Sequence, residues 1–170
     1  IDIYLAHGQV LIEIDAYRQA YDLYTKALIN HKANTDLLYA RAMAAENLGD
    51  IASMEGDFKA VLAANPEDPV TLNALGYTLA DLTTRYDEAE TYILKAIELN
   101  PNDAATIDSL GWLRFKQERY NEAEQHLRKA FTLLMDPEIA SHLVQTLLKL
   151  DRASEAKRVI ESGLRASPKS

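Results

Sequence analysis

Residues 75–97, LGYTLADLTTRYDEAETYILKAI, and residues 110–131, LGWLRFKQERYNEAEQHLRKAF, are two copies of one pattern. Both run Leu-Gly-aromatic, then Tyr-x-Glu-Ala-Glu, then Lys-Ala. A pattern that returns after roughly 35 residues restricts the fold more than composition can. Each copy must be one supersecondary piece that cannot bury its apolar face alone and has to stack on its neighbours.

Three weaker copies complete the tiling. The five repeats are 1–34, 35–68, 69–103, 104–136 and 137–170, a single array in which the third repeat carries one inserted residue. Position 8 is held by Gly8, Ala42, Gly76, Gly111 and Val144. Position 20, allowing for the insertion, is Ala20, Met54, Ala89, Ala123 and Ala156, and position 27 is Ala27, Val61, Ala96, Ala130 and Gly163. Most are small, as close helix crossings require. Large residues sit between them: Tyr17, Ile51, Tyr86 and Tyr120 at one place, and Tyr24, Phe58, Ile93, Leu127 and Ile160 at another. Alternating small and large side chains lets neighbouring helices interlock.

The punctuation places two helices in each repeat. Asp68-Pro69 and Asp136-Pro137 read as an N-cap followed by proline at the first helical position. Pro66 and Pro101 close the second helix of the repeat before. Short turns at Gly49-Asp50, Glu118-Arg119 and Asp151-Arg152 separate the two helices. With six Gly and five Pro among 170 residues, and much Ala, Leu and Glu, helix is favoured over strand throughout. The expectation is an all-α chain of five antiparallel helix pairs.

This arrangement resembles the tetratricopeptide-repeat family along the whole chain, most closely in repeats three and four and least in five, where Val144, Ala153 and Gly163 replace the usual glycine, tyrosine and alanine. The resemblance implies a right-handed superhelical solenoid with a concave groove that binds another protein. It also implies that positions 2, 5, 9, 12 and 13 of each repeat line that groove, while positions 4, 7, 8 and 11 interlock. The candidate partner-binding residues are then Tyr39, Met43 and Glu46 in repeat two; Asn73, Tyr77 and Asp81 in three; Asp108, Trp112, Phe115 and Lys116 in four; and Gln145 and Lys149 in five. For Trp112 and Phe115, packing against a neighbouring helix is the open alternative, since large aromatics are mostly buried whatever their function. Tyr120 belongs to the core stripe.

Co-chaperone members of the family grip a C-terminal carboxylate with Lys, Arg and Asn on this face. Here the stripe is mostly acidic through repeat three, so that clamp is absent. Aromatic area ringed by carboxylates suits an extended segment with apolar and basic side chains. Charge is uneven: repeat two sets two basic against seven acidic residues, and repeat five sets six basic against four acidic. An acidic middle and a basic end could orient a partner of matching polarity. The net charge of −8 argues against general binding of nucleic acid or anionic membrane.

Nothing points to catalysis. His7, His31, His126 and His142 stand at no metal-ligand spacing, none is matched with a carboxylate as metal ligand or general base, and packing or solvent roles are expected. There is no phosphate loop and no Gly-x-Ser-x-Gly. No cofactor is expected. The lack of cysteine excludes a disulfide scaffold and a thiolate zinc site.

The ends differ. Repeat one opens with Ile1, Ile3, Tyr4, Leu5, Val10, Leu11, Ile12 and Ile14, an apolar face that calls for further repeats upstream, or self-association through that face. The last helix, with Lys157, Arg158, Glu161 and Arg165, followed by Ser-Pro-Lys-Ser, reads as a cap. The order LNALGYTLAD, TRYDEAE, LNPNDAATIDSLGW, MDPEIASHL over residues 65–165 further resembles the C-terminal part of multi-repeat outer-membrane lipoproteins of gamma-proteobacteria. These face the periplasm, and some act as adaptors that bind a C-terminal processing protease. The resemblance implies such an adaptor at the periplasmic side of the outer membrane. A cytoplasmic scaffold or co-chaperone-like module, and an oligomer-assembly element using its ends or convex face, are the alternatives.

Overall fold

The structure is a computed structural model that describes residues 1–166, with side chains through Gly163. The Arg165 side chain and the Ser-Pro-Lys-Ser tail, expected to form part of the cap, lie outside the described residues. Among these residues there are ten α-helices and no strand: α1 (Asp2–Glu13), α2 (Tyr17–Asn30), α3 (Thr35–Asn47), α4 (Ile51–Ala64), α5 (Pro69–Leu82), α6 (Tyr86–Leu99), α7 (Ala104–Lys116), α8 (Tyr120–Leu133), α9 (Pro137–Lys149) and α10 (Ala153–Ala166). Each repeat is one helix pair, and the chain is all-α. It divides into two compact units, residues 1–75 and 76–170, with the division inside α5.

Side-chain caps start the first helices of repeats two to five. Asn34 accepts from the Leu37 amide, Asp68 from Thr71, Asp103 from Thr106, and Asp136 from Glu138 and Ile139. Each satisfies an amide that has no partner inside the helix, at about 1 kcal/mol per cap. In four of the five repeats, the turn into the second helix contains one residue at positive φ: Asp15, Gly49, Glu118 or Asp151. That left-handed step lets two antiparallel helices join within a few residues. Repeat three differs. Its insertion lengthens the turn, where Thr83 Oγ1 donates to the Leu79 carbonyl and accepts from the Arg85 amide.

The small positions lie where helices touch. A Cβ on Gly111 would fall 2.6 Å from Leu127 Cγ, and one on Gly76 3.0 Å from the backbone oxygen of Ala89. Ala20, Met54, Ala89 and Ala123 are fully buried, as are Phe58, Ile93 and Leu127 at the large position between. Ile160 departs from the expected pattern. It is 46% exposed, and Val159 fills the core of repeat five in its place, beside Ala156 and Leu143.

The buried face of the first helices is wider than the four interlocking positions. Positions 3 and 10 are buried as well, by Leu37 and Ala44, Thr71 and Thr78, Thr106 and Leu113, and Ile139 and Thr146. The same positions in α1 are Ile3, 78% exposed, and Val10, 55% exposed, with Ile14 at 66% one turn on.

Candidate functional site

Residues four apart lie on one side of a helix. In the unit 76–170, that spacing aligns Tyr77 and Asp81 on α5, Asp108, Trp112 and Lys116 on α7, and Glu138 and His142 on α9. The structure brings all seven together. Trp112 is the pivot. Its ring stacks on Phe115 at 4.7 Å and on His142 at 4.1 Å, and its Nε1–H donates to Asp81 Oδ1 at 2.9 Å. Lys116 Nζ donates to the Asp81 carbonyl at 2.8 Å and lies 5.7 Å from the centre of the Trp112 ring.

Trp112 is only 8% exposed, which corrects its expected place as an open groove lining. Its broad faces are covered by Phe115 and His142, so it packs between helices. Phe115 is half-buried and also meets the edge of Tyr120 at 5.4 Å. Tyr120, expected in the core, is itself half-buried.

His142 has the packing role expected of it, and also a carboxylate partner that the sequence did not point to. Its Nδ1 is 2.8 Å from Asp108 Oδ2, with both side chains almost wholly buried. This bond ties α9 to α7. The other oxygen, Asp108 Oδ1, is buried and has no hydrogen-bond partner. Burial holds the Asp108 carboxyl above the usual carboxylate range. The His142 contact pulls it down, and the charges of Glu138 and Asp136 push it further up. Tyr77, whose Oη donates to Glu138 Oε1 at 3.0 Å, has its phenol pushed far up by burial and then by Glu138, Asp81 and Asp108, so it remains a donor. Three carboxylates therefore converge on Tyr77, while Lys116 is engaged with Asp81.

In the unit 1–75, Tyr39, Met43 and Glu46 are half-buried on α3, with Tyr39 tilted on the Phe58 ring at 5.4 Å. Asn73 in the same unit has a buried Oδ1 without a partner. Gln145 is exposed and donates to Ser141 on its own helix, and Lys149 is exposed near the end of α9. Sequence reasoning missed His142 because position 6 falls on neither stripe. The usable signal was the period: Asp108 and His142 are 34 residues apart, which puts them almost level on successive first helices.

The family model described as "Tetratricopeptide repeat" matches residues 71–103 and 106–133. Among curated proteins, the chain is 43% identical over 143 residues to the TPR repeat-containing protein PA4667 of Pseudomonas aeruginosa; the match takes in 84% of this chain and 24% of that protein. The chain thus spans about a quarter of that relative's length. Among solved structures, it is similar to TTC0263, a thermophilic TPR protein of Thermus thermophilus. The TM-score is 0.89 and the identity 23%, covering 99% of this chain and 92% of that one. It is also similar to PilW, described as a widely conserved type IV pilus biogenesis factor, with TM-score 0.83 and 19% identity, covering 99% and 78%. Helix pairs, small positions and matched repeats agree: the chain is a tetratricopeptide-repeat protein.

Proposed function

We propose that this chain is a non-catalytic protein-interaction scaffold whose partner contacts the first-helix face of the unit 76–170. The observation that carries the reading is the Tyr77–Trp112–His142 cluster, where aromatic area and three carboxylates share one face and one carboxylate oxygen is left without a donor. A buried polar group without a partner is costly, and this one belongs to a cluster that includes the half-buried Tyr77 and the exposed Glu138, which supports a binding role. The chemistry fits an extended partner segment with apolar and basic side chains.

The finer reading is a periplasmic adaptor that presents substrates to a C-terminal processing protease. Its support is the resemblance of residues 65–165 to outer-membrane repeat lipoproteins. The deciding experiment is a pull-down from an envelope fraction and a cytosolic fraction of a related bacterium. Wild type would be run beside Tyr77→Ala, which removes a half-buried ring and leaves the Trp112 stack in place. A protease or cell-wall hydrolase held by wild type and lost by the variant supports the adaptor. Cytosolic partners lost by the variant support a cytoplasmic scaffold instead.

A second reading has its own observation. Ile3, Val10 and Ile14 form an exposed apolar stripe on α1, at positions whose equivalents at 3 and 10 are buried in every later repeat. The stripe fits a helix of the kind that precedes each later repeat, supplied by further repeats of the same polypeptide or by a second copy.

A further inference from the structure

We propose that Asp108, Glu138 and Tyr77 form a subsite for one cationic side chain of the partner segment. The inference rests on the reading that this face takes a partner segment, and it names the chemistry the segment must bring.

The argument begins with an imbalance. Asp108 Oδ2 is satisfied by His142, and Oδ1 by nothing. A carboxylate offers about four lone-pair sites, and a buried one lacking donors is costly. The groups facing Asp108 do not supply the deficit. From α5 come Tyr77, whose hydroxyl is spent on Glu138, and Asp81, an anion occupied by Trp112 and Lys116. From α9 come His142 and Glu138, and from the start of that helix Asp136, both acids raising the Asp108 carboxyl further. Lys116, on α7 itself, donates to Asp81. The place therefore lacks one donor and one positive charge.

A guanidinium or ammonium group supplies both. Tyr77, whose phenol feels the Asp108 charge, is half-buried and bonds the exposed Glu138. A planar guanidinium can bridge two carboxylates and lie on an aromatic ring, which fits Asp108, Glu138 and Tyr77 better than a compact ammonium does.

The whole 170-residue chain would be titrated with n-butylguanidinium, and with N-butylurea as its uncharged counterpart. The Trp112 indole N–H and the His142 ring signals would be followed by NMR. Saturable shifts with the guanidinium and none with the urea are expected. Glu138→Gln, an exposed substitution that leaves the fold alone, should weaken binding. Asp108→Asn should weaken it by about tenfold, the loss of one charge-assisted contact. Equal shifts from urea and guanidinium, or equal affinity in wild type and both variants, overturn the subsite. Either failure leaves the scaffold reading standing if Tyr77→Ala still loses partners in the pull-down. If the pull-down shows no dependence on Tyr77 while n-butylguanidinium binds as described, the partner face is wrong and these residues hold a guanidinium without serving that partner.

Discussion

Trp112 lies flat on His142, with ring centroids 4.1 Å apart and planes 18° from parallel. The stack joins successive repeats, since Trp112 is on α7 and His142 on α9. Trp112→Ala should therefore cost about 3–5 kcal/mol, as expected for removing a buried indole. Tyr120→Ala, at a half-buried ring, should cost less. Urea melts of the two variants check the order, and a larger loss at Tyr120 would mean that the stack contributes little.

Asp108 makes an unusual pH prediction. Its carboxyl is held above the ordinary range by burial. A folded-state value above the unfolded one means that its contribution to stability is full below the ordinary carboxylate range. It is then lost as pH rises through the elevated value. At neutral pH, Asp108→Asn should thus be at least as stable as wild type, by up to about 1 kcal/mol, because the amide oxygen still accepts from His142 without a buried charge. Melts at acidic and neutral pH read this directly. A marked loss of stability at neutral pH would show the charged pair to be a net support of the fold.

Close helix crossings predict a cost for added volume. Ala123 is fully buried on α8 beside Leu127 and Leu143. Ala123→Leu should overpack this junction and lower stability by about 1–3 kcal/mol. A denaturation midpoint unchanged from wild type would show that repeat five yields without penalty.

Glu118 sits at φ 62° in the turn between α7 and α8. The left-handed region costs a residue with a Cβ about 1–2 kcal/mol, and glycine's extra freedom when unfolded returns part of that gain. Glu118→Gly should stabilise by roughly 0.5–1 kcal/mol. A thermal melt that falls instead would show the glutamate side chain to be engaged.

The exposed α1 stripe predicts association. Sedimentation of the 170-residue chain should show a concentration-dependent increase in mass, abolished by Ile3→Glu with Val10→Glu. Because both sites face solvent, each change should alter stability by no more than about 0.5 kcal/mol. Wild type that remains a monomer at high concentration removes self-association from consideration.

Much of the fold was legible because its signals are local or periodic. Asp68-Pro69 and Asp136-Pro137 announce helix starts by hydrogen bonds within three residues, and Gly76 and Gly111 mark crossings where a Cβ does not fit. The cluster was only half legible. Helical spacing puts Asp81, Asp108, Trp112 and Lys116 on one face, but it gives direction and not depth. Depth is set by the repeats on either side: Asp81 meets Trp112 from 31 residues before it, and His142 meets Asp108 from 34 residues after it. Ile160 shows the same limit from the other side. In α10 the core position passes to Val159, a shift of one residue that a drifting last repeat conceals.

The lone tryptophan gives the molecule a built-in optical probe. The chain contains one indole, and it belongs to the compact unit 76–170. Emission excited at the red edge of the aromatic band therefore records the disruption of that unit alone, while far-ultraviolet ellipticity averages over all ten helices. One sample melted with both detectors yields two curves. Their separation measures how cooperatively the repeats unfold, which a nearest-neighbour array leaves free to vary with length and sequence.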